Sequence, residues 1–243
     1  MKFRNLKNGL LLISILFSGH INADEISTYS ISYIASTNGV KADAQRSLAK
    51  IGSNTYKLVN TLEAKIAGQL ITKIDETSEI KISKNAFKPI FYKMQQSGVS
   101  PESIHINYNW EKMFATIRKS NEISHLDLKP NTFDQLSHQL KLRNSITTGK
   151  NQLAFNIINR NNISEYIYRI LGKEEIITPL GKFKSTKIER VHSEKTQRKT
   201  IFWLADEWHG ILLRLSQTTN FGINIILEIQ EGVVNDILIK PAN

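Results

Sequence analysis

The side chains most able to do chemistry are scattered along the sequence and form no recognisable catalytic pattern. Five of the six histidines lie beyond residue 23, and no two of them are spaced to sit side by side on one strand or helical face. The adjacent acids Asp75–Glu76 and Glu174–Glu175 would point to opposite faces of a strand, so neither pair can share a proton or flank one substrate bond, and we expect them to be solvated charges. The sequence contains no Gly-x-Ser-x-Gly elbow and no glycine-rich phosphate loop. It therefore predicts no enzyme, no cofactor and no metal site.

The densest basic stretch, residues 182–199, offers a different kind of site. It could form a landing surface for an anionic glycan or lipid phosphate, and such binding would weaken as salt is added. The same lysines on an exposed sheet edge would instead prevent edge-to-edge aggregation, and the sequence favours this second explanation because it requires no partner. The candidate residues for anionic contact are Lys182, Lys184, Lys187, Lys195 and Arg198.

The first 23 residues have the organisation of a secretory signal peptide. Lys2, Arg4 and Lys7 precede an apolar run over residues 10–17, and small or polar residues follow as far as Ala23, after which we expect cleavage. The apolar run is shorter than the ~20 residues that span a bilayer, so we expect no transmembrane segment after cleavage. The sequence contains no cysteine, which excludes a lipid-modified cysteine, disulfides and thiol chemistry. These features predict a periplasmic protein.

The charge balance is consistent with that compartment. The formal charge of +10 falls to +7 when the three basic residues of the leader are removed, because residues 1–23 contain no acid. An exported basic protein meets the anionic polymers and lipids of the envelope, so nucleic acid is not a predicted partner. We expect residues 24–243 to form a single domain that acts as a monomer.

Repeated alternation of apolar and polar residues predicts a mainly β protein. Residues 28–36 place alternate apolar side chains on one face, and Asn38–Gly39 then favours a tight hairpin. Similar segments recur to the end of the chain, whereas residues 120–130 are predicted to be a loop. Residues 130–140 predict the one principal α-helix, with Thr132 as N-cap, Gln135 completing a capping box and Asp134 in the first turn. This helix must bury its apolar stripe on the sheet.

Several short segments in the second half occur in a characteristic order. They are 132–140, Gly149, 172–175, 178–181 with Phe183, Arg190, and 203–205. In this order the chain resembles the bacterial domain-of-unknown-function 3108 family. It differs where that family more often has a proline after the last segment, since residues 210–212 read Gly-Ile-Leu here.

The resemblance implies an exported protein with a single, strongly curved antiparallel sheet of the β-spiral or half-barrel type. It provides no catalytic residue that could be transferred to this chain. The candidate polar positions, either structural or in contact with a ligand, are Asp134, Glu175, Arg190 and Arg214.

Two functions are compatible with these features. The first is a non-enzymatic envelope protein that binds a protein or a cell-wall partner through its outer surface. The alternative is a carrier that encloses a lipid or acyl chain in the curled sheet, with the helix as a lid. The many inward Ile, Leu, Phe and Tyr residues permit a cavity, although the same residues would also fill a closed core.

Overall fold

A computed structural model describes residues 26–84, 86–120, 122–150, 153–159, 161–193 and 196–242. The predicted signal peptide and Lys195 lie outside these residues. Within the described part of the chain, one sheet contains sixteen strands and wraps around one α-helix. No helix in that part has the length and apolarity that crossing a membrane requires.

The N-terminal half of the chain is a meander of eight consecutive antiparallel strands. These strands are β1 (Tyr29–Thr37), β2 (Val40–Lys50), β3 (Thr55–Ile66), β4 (Gln69–Ser83), β5 (Ala86–Gly98), β6 (Glu102–Asn109), β7 (Phe114–Lys119) and β8 (Glu122–Asp127). The turns between them contain several residues with positive φ, including Asn38 (47°) and Gly39 (81°) in the first hairpin, as the Asn-Gly pair predicts.

The C-terminal half adds one helix and eight strands to the same sheet. These elements are β9 (Thr132–Phe133), α1 (Ser137–Thr147), β10 (Ala154–Asn159), β11 (Asn162–Thr178), β12 (Gly181–Val191), β13 (Lys199–Ala205), β14 (Leu212–Thr218), β15 (Asn224–Val234) and β16 (Ile237–Leu238). The strand order is β8-β7-β6-β5-β4-β3-β2-β1-β15-β14-β13-β12-β11-β10-β9, and β16 pairs with β15. The β9–β10 pair is parallel and the other pairs are antiparallel. The two halves join where β1 pairs with β15, and the sheet stays open between β8 and β9.

The inner face of the curled sheet carries the core. Directly paired residues share a face in an antiparallel sheet, so apolar side chains from successive strands stack on the inside. Buried examples on the first strands are Ile31, Leu48, Leu58 and Ile80, each at most 2% exposed. Full burial of each such side chain contributes roughly 1.5–3 kcal/mol. The predicted mainly β fold with an antiparallel sheet and one principal helix is confirmed.

Helix α1 lies inside the curl, in contact with strands on several sides. Seven of its eleven residues are buried, among them His138, Lys141 and Arg143 as well as Leu140 and Leu142. The helix therefore has no broad solvent face, and its buried polar side chains need partners inside the curl.

The predicted helix start at Thr132 was wrong. Thr132 and Phe133 form β9, and the helix begins five residues later, at Ser137. The Thr132 hydroxyl donates to the carbonyl of Lys129 at 2.7 Å, so it stabilises the preceding turn. Asp134 supplies the capping carboxylate in its place.

Two further expectations are corrected. Residues 122–127 form the edge strand β8, although residues 120–130 were predicted to be a loop. Strand β12 pairs with β11 on one side and with β13 on the other, so it is not an edge strand. Its lysines, Lys182, Lys184 and Lys187, therefore do not act as the edge protection that the sequence favoured.

Candidate binding site

Asp134 anchors the beginning of α1 to the sheet. Its Oδ1 accepts hydrogen bonds from the backbone N–H groups of Leu136 (2.9 Å) and Ser137 (2.7 Å). Its Oδ2 accepts from the hydroxyls of Ser78 on β4 (2.9 Å) and Ser137 (2.7 Å). Burial raises the pKa of Asp134, and these hydrogen bonds oppose the rise. All four bonds are internal, so the carboxylate is a structural group.

His138 follows Asp134 on the buried side of the helix. Its Nδ1 lies 3.2 Å from the Asp134 carbonyl and its Nε2 lies 2.9 Å from the Tyr168 hydroxyl. These partners fit a neutral ring in which Nδ1–H donates and Nε2 accepts. Burial lowers the pKa of His138 from 6.5 to about 3. The ring is therefore neutral at physiological pH.

Arg190 joins this cluster from β12. Its guanidinium lies over the ring of Tyr166, 3.2 Å from the centroid, and it pairs in register with Tyr168. The structure thus brings together two predicted polar positions, Asp134 and Arg190, through His138 and its tyrosine neighbours. Asp134 stabilises the contact between α1 and the sheet, whereas Arg190 packs on Tyr166 within the sheet.

A row of polar side chains crosses the inner face of β2 to β5, and the sequence analysis missed it. Arg46 donates to Gln139 of the helix (2.7 Å) and to Asn60 (3.5 Å), and Asn60 donates to Glu76 (2.7 Å). The Tyr92 hydroxyl also donates to Glu76, at 2.7 Å. Burial and the nearby Glu76 carboxylate raise the pKa of Tyr92, which keeps the phenol protonated. Glu76 was predicted to be solvated, and it is instead held on the inner face.

The row ends at a groove between β4–β6 and β10, which we call the seam groove. Its volume is about 260 Å³. The apolar walls are Ile74, Met94, Ile104, Ile106 and Ile158. The polar lining consists of Glu76, Tyr92, Gln96, Glu102, Gln135 and Asn159. The groove is therefore concave and mixed in character, with apolar walls and about as many polar groups that could fix the orientation of an occupant.

A second, smaller cavity lies beneath α1, and its volume is about 40 Å³. The helix contributes Gln139, Leu140 and Arg143, and the sheet contributes residues of β1, β2, β3, β13 and β14. No residue lines both this cavity and the seam groove.

Two of the predicted polar positions lie on the outside of the sheet. Arg214 pairs with Glu228 at 2.5 Å and also donates to the carbonyl of Ile177 at 2.5 Å. Glu175 forms an ion pair with Lys182 at 2.7 Å, and about half of its side chain is exposed. They are therefore remote from the interior cluster.

The predicted basic surface contains acids as well as lysines. Lys182, Lys184 and Lys187 lie 2.7, 3.6 and 3.2 Å from Glu175, Glu207 and Glu174, respectively. Arg198 is exposed in the connection before β13. Ion pairing reduces the net charge that this part of the surface presents, and binding to an anionic polymer stays a prediction.

The outer face beside these lysines carries Trp203. Its indole N–H donates to Glu174 at 2.5 Å, and the cations of Lys187 and Arg214 lie 5.3 and 5.7 Å from its ring centroid. This N–H bond lowers the pKa of Glu174. In the described ranges, no group of three His, Asp or Glu side chains is close enough to hold a metal ion.

Residues 28–228 match the model of a family described as "Protein of unknown function (DUF3108)". The chain belongs to this family. The DUF3108 resemblance seen in the sequence is therefore confirmed. No curated protein matches the chain.

Three solved structures are similar to this chain to different degrees. The chain is similar to a β-barrel-like protein of the DUF1849 domain family from Brucella abortus, with a TM-score of 0.57, 10% identity, and coverage of 87% of this chain and 99% of that one. A weaker match is a "putative lipoprotein" from Parabacteroides distasonis, with a TM-score of 0.35, 11% identity, and coverage of 86% and 96%. Another is a "putative exported protein with YmcC-like fold" from Bacteroides fragilis, with a TM-score of 0.36, 12% identity, and coverage of 84% and 95%. The first of these supports the fold, and none of them assigns a function to this chain.

Proposed function

We propose that this DUF3108 protein is exported to the periplasm, where it binds a protein partner without catalysing a reaction. The observation that carries the proposal is the seam groove, where five apolar side chains line a concave wall and the polar row ends at Glu76. We place the contact in this groove, whereas the sequence had suggested the outer surface. The leader over residues 1–23 supports export.

The lining of the groove suits an apolar side chain that is followed by a hydrogen-bond donor. The apolar walls would bury the side chain, and Glu76 and the amides of Gln96 and Gln135 would meet the polar groups beside it. A partner segment with an apolar residue next to a lysine, an arginine or a free backbone N–H has this chemistry. A glycan carries no large apolar side chain to fill these walls, so a protein segment fits better than a cell-wall polymer.

Cavity volumes favour a protein partner over the carrier alternative. Sites for drug-sized ligands typically measure about 300–1,000 Å³. The cavity beneath α1 measures about 40 Å³ and the seam groove about 260 Å³. A long acyl chain would require the sheet and helix to move apart, whereas one or two partner side chains would not.

Adjacent glutamines on β5 provide a matched test of the groove. Gln96 lines the seam groove, whereas Gln95 lies on the opposite face of the same strand. A photoreactive benzoylphenylalanine placed at Gln96 should crosslink the partner in intact cells, and the same group at Gln95 should not. Ile74→Trp, which fills the groove, should abolish the Gln96 crosslink.

The outcomes separate the two functions. A discrete protein adduct at Gln96 that disappears with Ile74→Trp supports the proposal. Equal adducts at both glutamines would overturn it, because the contact would not involve the groove. An acyl species that copurifies in native mass spectrometry and is lost with Ile74→Trp would favour the carrier instead.

A further inference from the structure

Two arginines line the cavity beneath α1, and neither has a carboxylate partner among the described residues. Arg143 comes from the helix and Arg46 from β2. The other lining side chains are apolar or neutral, including Tyr29, Tyr33 and Gln139. A cavity with this lining concentrates positive charge in a largely apolar setting.

Arg143 is the more deeply buried of the two, with 8% of the residue exposed. Its Nε donates to the His209 carbonyl at 2.7 Å, and one terminal nitrogen donates to the Ser27 carbonyl at 3.1 Å. The guanidinium lies 4.9 Å from the centroid of the Tyr29 ring. The other terminal nitrogen, Nη1, is buried and has no hydrogen-bond partner.

Arg46 has a similar unsatisfied group. Its two terminal nitrogens donate to Gln139 and Asn60, but its Nε is buried without a partner. The carboxylate next along the polar row, Glu76, bonds to Asn60 and Tyr92. Both guanidiniums therefore keep unused donors.

A buried arginine without a counterion is unfavourable. Removing a guanidinium from water costs several kcal/mol, and its positive charge persists because arginine is not deprotonated in proteins. Carbonyl oxygens and a tyrosine ring offset part of this cost, but they carry no negative charge. Buried charges in proteins are normally paired, and unsatisfied buried donors are rare.

We propose that the cavity beneath α1 binds a small carboxylate or inorganic anion between Arg143 and Arg46. The volume of about 40 Å³ exceeds the ~10–15 Å³ that a cavity needs in order to hold one water molecule, so an anion of a few heavy atoms fits and a long acyl chain does not. The free Nη1 of Arg143 and Nε of Arg46 supply the donors. The anion would fix α1 within the sheet through Arg143 and through the Gln139–Arg46 bond.

Formate is a suitable probe, because it carries a carboxylate on one carbon. Binding of ¹³C-formate is measured by NMR line broadening on protein purified after expression of the full sequence, with chloride and phosphate as competitors at constant ionic strength. We expect saturable broadening, and we expect the thermal unfolding midpoint to rise with formate concentration. Competition by chloride or phosphate would identify an inorganic ion as the better occupant of the same site.

Variants at the two arginines test the assignment. Arg143→Met should weaken formate binding at least about tenfold, since it removes a charge-assisted hydrogen bond. Arg46→Met provides a second test if Arg143→Met does not fold. Arg198→Met, which removes an exposed arginine far from the helix in sequence, should leave binding unchanged.

Three results would overturn the proposal. The first is the absence of saturable binding of any of the three anions to the wild-type protein. The second is equal binding by wild-type protein and both cavity variants. The third is binding that appears only in the double variant Asp24→Asn, Glu25→Gln. These two acids precede Ser27 in the sequence, and that result would mean that they are themselves the counterions of the arginines. The two sites have no lining residue in common, and the crosslink at Gln96 tests the seam groove separately from these results.

Discussion

Protonation of His138 should make the protein markedly less stable below neutral pH. In its neutral form, the ring donates to the Asp134 carbonyl and accepts from the Tyr168 hydroxyl. A second ring proton would remove the acceptor and place a charge in a site where only 4% of the residue is exposed. Arg190 and Arg46 add electrostatic repulsion. The folded protein therefore binds this proton far more weakly than the unfolded chain does.

The direction and size of the effect follow from the two pKa values. The unfolded chain takes up the proton near pH 6.5 and the folded protein only near pH 3, so the contribution of His138 to the free energy of unfolding is complete above pH 6.5 and is lost as the pH falls toward 3. Each pH unit within this window is worth about 1.4 kcal/mol. Between pH 7.5 and pH 5 the loss amounts to about 2 kcal/mol.

Urea unfolding followed by tryptophan fluorescence measures this loss. We expect the difference in free energy of unfolding between wild type and His138→Gln to shrink by about 2 kcal/mol from pH 7.5 to pH 5, because glutamine does not titrate. His125→Gln is the matched control, since His125 is exposed on β8. The free energy of unfolding of His125→Gln, plotted against pH, should run parallel to that of wild type. Parallel curves for wild type and His138→Gln would refute the reasoning, because the buried ring would then not determine the pH dependence.

Three further predictions concern other parts of the fold. Asp134→Ala should lower the free energy of unfolding by about 3 kcal/mol, because the helix cap and two buried hydroxyls lose their acceptor. Asp134→Asn keeps an acceptor oxygen and should lower it by about 1 kcal/mol. Equal losses for the two variants in chemical unfolding would contradict this prediction. Gly98→Ala places a Cβ 2.2 Å from the Ile71 carbonyl oxygen, at a residue with a φ of +101°. It should lower the free energy of unfolding by about 2 kcal/mol more than Gly39→Ala, because an added Cβ at Gly39 meets open space. Equal thermal midpoints for the two variants would rule out the clash. Replacing Lys182 and Lys184 with Glu should change the free energy of unfolding by less than about 1 kcal/mol, because their ion pairs are exposed. If this surface binds anionic polymers, the variant should also elute from such a polymer at a lower salt concentration than wild type. An unchanged elution would show that these lysines do not bind the polymer.

The sequence predicted the strands well where one side of the strand is buried. In β1 the buried residues Tyr29, Ile31, Tyr33 and Ala35 alternate with more exposed ones, and the predicted strand differs from the observed one by a single residue at each end. In β8 this alternation fails because both sides of an edge strand meet solvent, and Ile123 is 57% exposed. The segment consequently looked like a loop.

The helix start was misplaced for a different reason. Thr132 and Gln135 have the residue types and the spacing of a capping box, whereas Asp134 and Ser137 have only the spacing, so the local sequence favours the first pair. Tertiary structure selects the second pair, because Ser78 on β4 also donates to Asp134. That contact joins residues 56 positions apart, which no local pattern contains.

The polar row left a signal that could have been recognised. Asn60 falls on the same face as Tyr56, Leu58, Leu62 and Ala64, so a polar residue interrupts an apolar face. Arg46 on β2 and Glu76 on β4 interrupt their own strands in the same way, and all three are directly opposite one another in register. Three such interruptions in consecutive hairpins indicate one interior site. The pair Asp75–Glu76, considered without the neighbouring strands, gave no indication of an interior site.

The position of α1 within the curl couples both candidate sites to one element. Gln135, two residues before α1, lines the seam groove, and Gln139 of α1 lines the cavity with Arg143. The bond between these glutamines, from Gln139 Nε2 to the Gln135 carbonyl at 3.0 Å, and the Arg46–Asn60–Glu76 row give two short paths between the sites. An occupant of either site can shift the helix between two positions only if it binds the protein more tightly in one of them. Buried polar contacts tie α1 and its cap to the sheet through Asp134, His138 and Arg143, so a partner in the seam groove meets a helix held by its own contacts.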